Sequence, residues 1–340
     1  RVIKALDPGR FSITVICSPT SEAKLREAFR QDQVRLLPIR PPLSSMIREV
    51  REAQLDLLYY WEIATDTVNY FLPFCRLAPV QCTSWGIQIT SGIPQVDYYL
   101  SSGLIESASA QDHYSERLLL ADTLLTCQER VRVRPDRSIR RRLGFGEGEH
   151  VYFCLQQLGK FPPEFDAVLA DILRRDPCGK IVLAELDGAA ELARLKHRFA
   201  TQLPDVHERI VFLPAQPRDR YLQLMEASEA ILDPIGFGGV NTTYDALSLD
   251  RPLVTLPTEY HRGRYALGCY RKIGVDEFVA RDEAHYAELA VALATQPEYR
   301  AAAIERLRRA TPALFDDTTA VDEHHRLFTE MIEAGPRRER

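Results

Sequence analysis

At 340 residues the chain is longer than a single core usually supports, so two domains are expected. Its 45% hydrophobic and 27% charged content is that of a globular chain, not a disordered or fibrous one. The formal net charge of -5, with a pI near 6.0, argues against broad binding to nucleic acid or to an anionic membrane.

The opening RVIKALDPGRF has no signal-peptide character, and no apolar run approaches the length of a membrane span. The chain starts without Met and directly in a helix end, which suggests a piece of a longer protein. From there short apolar runs alternate with helical patterns. FSITVIC reads as a strand, SEAKLREAFRQ as a helix, VRLLPI as a strand and LSSMIREVREA as a helix. LDLLYYW is a strand, TVNYFLPFCRL a helix, and APVQCTSW and VDYYLSS are strands. Between about Asp122 and His150 the pattern breaks into RVRVRPDRSIRRRLGFGEGEH, read as a solvated inter-domain linker. Alternation then resumes: HVYFCLQQ, KIVLAEL, RIVFLPA, EAILDP and RPLVTLP are strands, and DEFVA closes their sheet. The helices between them are PPEFDAVLADILRRD, AAELARLKHRFATQL, PRDRYLQLMEAS, NTTYDALSLD and YALGCYRKIG, with three more at about 283–295, 297–310 and 317–334. Repeated βα units in two halves predict an α/β protein of two doubly wound domains with a cleft between them. The expected bounds are 1–135, 136–312 and a C-terminal helix and tail at 313–340. Seven scattered cysteines without a CxxC pair fit reduced thiols in a cytoplasmic protein.

The stretch DPIGFGGVNTTYD, from Asp233 to Asp245, carries the clearest chemistry. A buried strand ends in Asp233, a Gly-rich turn runs to Gly239, and Asn241, Thr242 and Thr243 open a helix. Glycines admit a ligand close to the backbone, and the first helical turn offers N–H groups and about half a positive charge. Two threonine hydroxyls and Asp245, one turn beyond Thr242, add groups suited to phosphate and sugar hydroxyls. The same letters also fit an ordinary capped helix after a Gly loop. The ends of other strands point to the same sheet edge. Lys160 could reach a diphosphate, or be a surface lysine; Gln157 could read a base or a phosphate oxygen, or bond its own loop. Ala215 and Gln216 lie in an irregular loop suited to a planar base, with Tyr221 to stack on it, although the flanking prolines alone explain the turn. His261, Arg262 and Arg264 precede a helix, where arginines would neutralise a leaving diphosphate. Glu62 and Asp66 follow one strand of the first half, and Thr90, Ser91 and Gly92 follow the next, as a sugar- or phosphate-binding segment or a plain turn. HExxH, GxSxG and Walker A patterns are absent, so metal and nucleophilic-serine mechanisms lack support.

Taken in order, LAPVQCTSWG, TSGIPQVDYYLSS, HYSERL, QLGK, RIVFLPAQPRDRY, LDPIGFGGVNTTYDALSLDRPLVTLP and RGRYALGCYRKIGV resemble the bacterial SPINDLY-like relatives of the O-linked N-acetylglucosamine transferases. The resemblance covers nearly the whole chain. It implies a GT-B fold of two Rossmann-like domains, UDP-N-acetylglucosamine as donor, a protein Ser or Thr hydroxyl as acceptor, and inversion without metal or other cofactor. Tetratricopeptide repeats usually precede such a region. By motif, Gln157 and Lys160 match residues near the donor diphosphate, and Ala215, Gln216 and Arg218 the loop that reads uracil. Gly239, Asn241, Thr242 and Thr243 match the pyrophosphate-binding helix start, and Asp245 the ribose-binding carboxylate. Tyr221 stands where animal enzymes carry a His against the base. Thr90, Ser91 and Arg262 are candidates for the sugar and acceptor side. Two departures concern the acceptor side. The family's early strand and histidine loop would lie before Arg1, and Gly86-Ile87-Gln88 replaces the usual Gly-His-Pro. A silent UDP-sugar-binding module and a GT-B enzyme with a non-protein acceptor remain the alternatives.

Overall fold

The structure, a computed structural model, describes residues 1–29, 34–136, 138–185 and 188–336. Arg30 and Gln31 of an expected helix, Arg137 of the expected linker and Leu186 of an expected strand lie outside the described residues. The chain divides into two compact units, Arg1–Cys127 with Asp317–Arg340, and Gln128–Asp316.

The first unit begins with α1 (Val2–Ala5), β1 (Ile13–Cys17), α2 (Pro19–Ala28), β2 (Val34–Pro38) and α3 (Leu43–Glu52). It continues through β3 (Leu57–Tyr60), α4 (Thr67–Phe71), β4 (Val80–Ser84), β5 (Tyr98–Ser102) and β6 (Arg117–Ala121). All pairings are parallel: β1 with β2, and β3-β4-β5-β6 in sequential order. Every residue of β4 and β5 is buried, the polar Gln81, Thr83, Ser84, Ser101 and Ser102 included, as expected of parallel strands covered on both faces. The helix expected over TVNYFLPFCRL stops after one turn of α4 and tightens to a 3-10 turn, Leu72–Phe74, because Pro73 supplies no amide hydrogen. Sequence reading missed β6, whose burial alternates only partly and whose Arg117 is exposed.

The second unit comprises α5 (Ile139–Arg142), β7 (His150–Cys154), α6 (Pro163–Arg175), β8 (Gly179–Glu185), α7 (Ala189–Gln202) and β9 (Ile210–Pro214). It continues with α8 (Arg218–Ala227), β10 (Ala230–Leu232), α9 (Val240–Ser248), β11 (Leu253–Val254), α10 (Tyr265–Ile273), α11 (Glu283–Thr295) and α12 (Pro297–Ala310). Helix α13 (Thr319–Ala334) then returns to the first unit, burying Val321, Leu327, Phe328 and Met331 with Val80, Leu100 and Leu119. The second sheet is parallel in the order β11-β10-β7-β8-β9. Its first strand is central and the chain winds outward in both directions, so the topological switch point lies between β7 and β10. One face is covered by α8, α9 and α10 through Leu224, Met225, Ala246 and Ala266 packed on Val151, Phe153, Val182 and Ile231.

Two expectations are corrected. DEFVA adds no strand: it makes a single bridge, Thr255 with Val279, and buries Phe278 completely. The arginine-rich segment is not a solvated linker. Ile139 and Phe145 enter the core of the second unit, and Arg140 pairs with Glu229. Arg130 donates to the Ser248 carbonyl at 3.0 Å and pairs with Asp250. Those ties carry residues 128–135 with the second compact unit, Gln128–Asp316.

Candidate functional site

The loops that leave β7 and β10 flank the switch point, where neighbouring connections diverge and leave a crevice at the strand ends. After β7, a 3-10 turn over Leu158–Lys160 directs Lys160 across to the other loop. Its ammonium donates to the Gly238 carbonyl at 3.1 Å and to Gln156 Oε1 at 3.4 Å, and lies 4.5 Å from the Phe237 ring centroid. Burial lowers the Lys160 pKa below its ordinary value, and the Asp233 carboxylate opposes that shift. The cation is therefore positioned, partly desolvated and only weakly neutralised.

After β10, Asp233 is 2% exposed and fixes the Gly-rich loop from beneath. Its carboxylate accepts the Gly239 N–H and the Thr255 hydroxyl, both at 2.9 Å, and its carbonyl accepts the Tyr286 hydroxyl at 3.0 Å. Burial pushes the Asp233 pKa up to about 6, against the pull of the Gly239 N–H, Thr255 and Lys160. A side chain at 238 would place Cβ 2.6 Å from Asp233 Oδ2, and one at 239 would collide with Gln156 Nε2. Close approach thus favours glycine at both positions, since any side chain there would have to displace a neighbour. Helix α9 starts at Gly239 with no side chain capping it, so its first-turn N–H groups have no side-chain acceptor.

Beside this helix start, the Asp245 carboxylate receives both arms of the Arg218 guanidinium, one at 2.6 Å. Arg218 also lies 5.4 Å from the Tyr221 ring centroid. The fork occupies one edge of Asp245 and leaves it acceptor capacity for a hydroxyl. Thr242 is buried and Asn241 exposed, whereas the Thr243 hydroxyl turns back to the Gly239 carbonyl four residues earlier, a common use of a helical threonine. Ala215 is exposed just past β9, and Gln216 Nε2 donates to the Pro214 carbonyl at 2.7 Å. Gln157 is exposed at the head of the Lys160 turn. Arg262 reaches the Gly-rich loop through its backbone, its carbonyl accepting the Gly238 N–H at 2.8 Å, while its guanidinium lies over Tyr260. His261 is buried and stacked on Tyr265.

Thr90 and Ser91 belong to the first unit. There the Thr90 hydroxyl donates to Glu116 Oε2 at 2.6 Å and the Ser91 N–H to Oε1 at 2.7 Å, so both hold their own turn. Sequence reading passed over Gln156, which is 5% exposed and presents a buried Nε2 that finds no partner among the described residues beside Gly239. It also missed Thr255, which stands 22 positions beyond Asp233. An Asp that ends an apolar strand before a Gly-rich turn was the one available signal for this support.

The family model for glycosyl transferase family 41 matches residues 125–323. A curated barley protein, a probable UDP-N-acetylglucosamine–peptide N-acetylglucosaminyltransferase SPINDLY from Hordeum vulgare, is 26% identical over 298 residues, covering 85% of this chain and 30% of its own. The chain thus spans about a third of the length of such relatives. Among solved structures, an O-GlcNAc transferase mutant from Thermobaculum terrenum superimposes with a TM-score of 0.80 at 23% identity, covering 98% of this chain and 64% of that one. HepE from Anabaena, solved with UDP and glucose, has a TM-score of 0.57 at 13% identity, with 95% and 93% of the chains covered. These matches to solved GT-B glycosyltransferases establish the fold as GT-B. Among the described residues no helix is long and apolar enough to cross a membrane.

Proposed function

Because this chain belongs to glycosyl transferase family 41, we propose that it is the catalytic region of an enzyme that transfers N-acetylglucosamine from its UDP conjugate to a protein Ser or Thr hydroxyl. The observation that carries this reading is the Lys160 ammonium held against the Gly238 carbonyl, directly before the uncapped start of α9. A diphosphate seated there meets a cation and a helix N-terminus, both fixed before the reaction starts. As the sugar–phosphate bond breaks, negative charge grows on the departing UDP, and Lys160 and the first-turn N–H groups are the groups that stabilise it. That charge supply is what a metal gives in other transferases, so the reading is of a metal-independent transfer, with inversion at the anomeric carbon as the resemblance to the family implies. Asp245, oriented by Arg218, would accept the ribose hydroxyls, and the loop at Ala215 and Gln216 would take uracil, with Asn241, Thr242 and Gln157 around the phosphates. The second unit would be the donor domain, and the first would serve the acceptor.

Isothermal titration with UDP tests the donor half. Lys160→Ala should weaken binding about 10- to 100-fold, the worth of one or two charge-assisted hydrogen bonds, and Asp245→Asn about tenfold. Unaltered affinity in both variants, or no UDP binding by folded wild-type protein, would sink the reading. A second reading, donor binding without transfer, rests on Gly86-Ile87-Gln88, where an apolar side chain occupies the usual histidine position and the Ile87 carbonyl is engaged by the Tyr99 hydroxyl at 2.7 Å. Mass-spectrometric detection of sugar transfer to peptide, or of donor hydrolysis, separates the two.

A further inference from the structure

The second unit has a cavity of about 460 Å³ at the opposite edge of its sheet. Its charged lining is Asp136, Arg140, Glu226, Glu229, Arg251 and Arg300, with Asp136 paired outward to Arg142. Glu229 directly precedes β10 and its Oε2 accepts the Val151 N–H of β7 at 2.7 Å, which places the cavity at the amino ends of the strands. The loops of the donor site leave the carboxyl ends, so the two sites share no residue.

The ionic pairing inside the cavity is incomplete. Arg140 is committed to Glu229 and to the Glu149 carbonyl. Arg251 gives one terminal nitrogen to Glu226 at 2.8 Å, and among the described residues its other terminal nitrogen has no partner. Arg300 gives one terminal nitrogen to the carbonyls of Leu293 and Ala294, at 2.6 and 2.9 Å. Among the described residues no carboxylate pairs with Arg300. Burial lowers the Arg300 pKa, and repulsion by Arg251 and Arg140 adds to that effect, while Glu229 opposes it. Half-buried guanidinium groups that repel one another and retain open donors form a receptor for an oxyanion. A planar carboxylate saturates a single fork, whereas the tetrahedral phosphate group has oxygens enough for both. The volume lies within the range of small-molecule sites, larger than phosphate alone requires.

We propose that this cavity is a second ligand site, taking a small phosphorylated molecule whose phosphate group is held by Arg251 and Arg300. The first probe is inorganic phosphate, titrated calorimetrically into protein saturated with UDP so that the donor site is closed to it. One phosphate should bind per chain, with acetate at equal ionic strength giving no comparable heat. Arg251→Gln and Arg300→Gln should each weaken phosphate binding at least tenfold and leave UDP affinity within twofold, which also certifies their folding. Arg300→Lys, which keeps the charge without the fork, should fall between. If the UDP-saturated wild type binds no phosphate, or if both glutamine variants bind it like wild type, the proposal is wrong. Should UDP itself fail to bind, the same variants still decide the matter, because phosphate held at the donor site would ignore Arg251 and Arg300.

Discussion

The loops that follow β3 and β4 and those that follow β7 and β10 leave parallel sheets in the same way, yet they dispose of their polar groups in opposite fashion. In the first unit, the helix after β3 is closed by its own residue: the Asp66 side chain accepts the N–H groups of Val68 and Asn69, at 2.8 and 3.0 Å. The turn after β4 is closed too, since the buried Glu116 takes the Thr90 hydroxyl and the Ser91 N–H. In the second unit, α9 starts at a glycine without a side-chain cap, and the carboxylate below it, Asp233, holds the loop rather than the helix end. A sequence able to cap a helix and a sequence that keeps it open for an anion differ by one short acidic side chain at the right position. That difference is why the proposed anion site is placed in the second unit.

The largest effect expected from this contrast concerns Asp233. Its pKa rises from an ordinary 3.8 in the unfolded chain to about 6 in the fold. The native state therefore holds this proton more tightly, a gain complete below pH 3.8 and lost as pH rises through about 6. The shift is worth at most about 3 kcal/mol. Asp233→Asn can keep both hydrogen bonds, with Thr255 reversed as acceptor, and has no proton to lose. Urea unfolding across pH 4 to 7 should show wild type losing up to about 3 kcal/mol relative to the variant as pH rises. Parallel stability curves would mean that the buried carboxylate does not titrate in this window.

Next in size is Gly239→Ala, which forces a methyl group onto Gln156 Nε2 and the Thr242 side chain. Overpacking of that kind costs about 1–3 kcal/mol and moves the first turn of α9. Thermal unfolding should register the loss, UDP affinity should fall with it, and Gln156→Ala in the same chain should restore part of both. Additive losses in the double variant would show that Gln156 is not what fills the space beside Gly239.

Much of this site was legible because it is local. The apolar runs of β7, β8 and β10 are buried on both sheet faces, so they announce themselves, and the Gly-rich turn between Asp233 and Val240 follows directly on one of them. Lys160 was legible from its place after β7. What stayed hidden depends on distant or equivocal partners. Gln156 and Gln157 are neighbours of the same type, and only the twist at the end of β7 decides that one is buried and the other exposed. Asp233 meets Thr255 and Tyr286 across the fold, a support no local pattern encodes. The segment holding Arg130 and Arg140 looked like a linker because its charges were visible and their partners, Asp250 and Glu229, were about a hundred residues away.

The smallest predicted effect tests the contrast from the other unit. Asp66→Ala removes the acceptor that closes α4, leaving the Val68 and Asn69 N–H groups to water. Loss of such a cap costs about 1 kcal/mol. Chemical denaturation of the variant should show that loss, while UDP affinity stays within twofold of wild type if the diphosphate sits, as proposed, on Lys160 and α9. A drop in UDP binding as large as that of Lys160→Ala would overturn the division of labour between the units. It would mean that a helix start closed by its own carboxylate, and so with no N–H groups left for an anion, still governs how the donor is held.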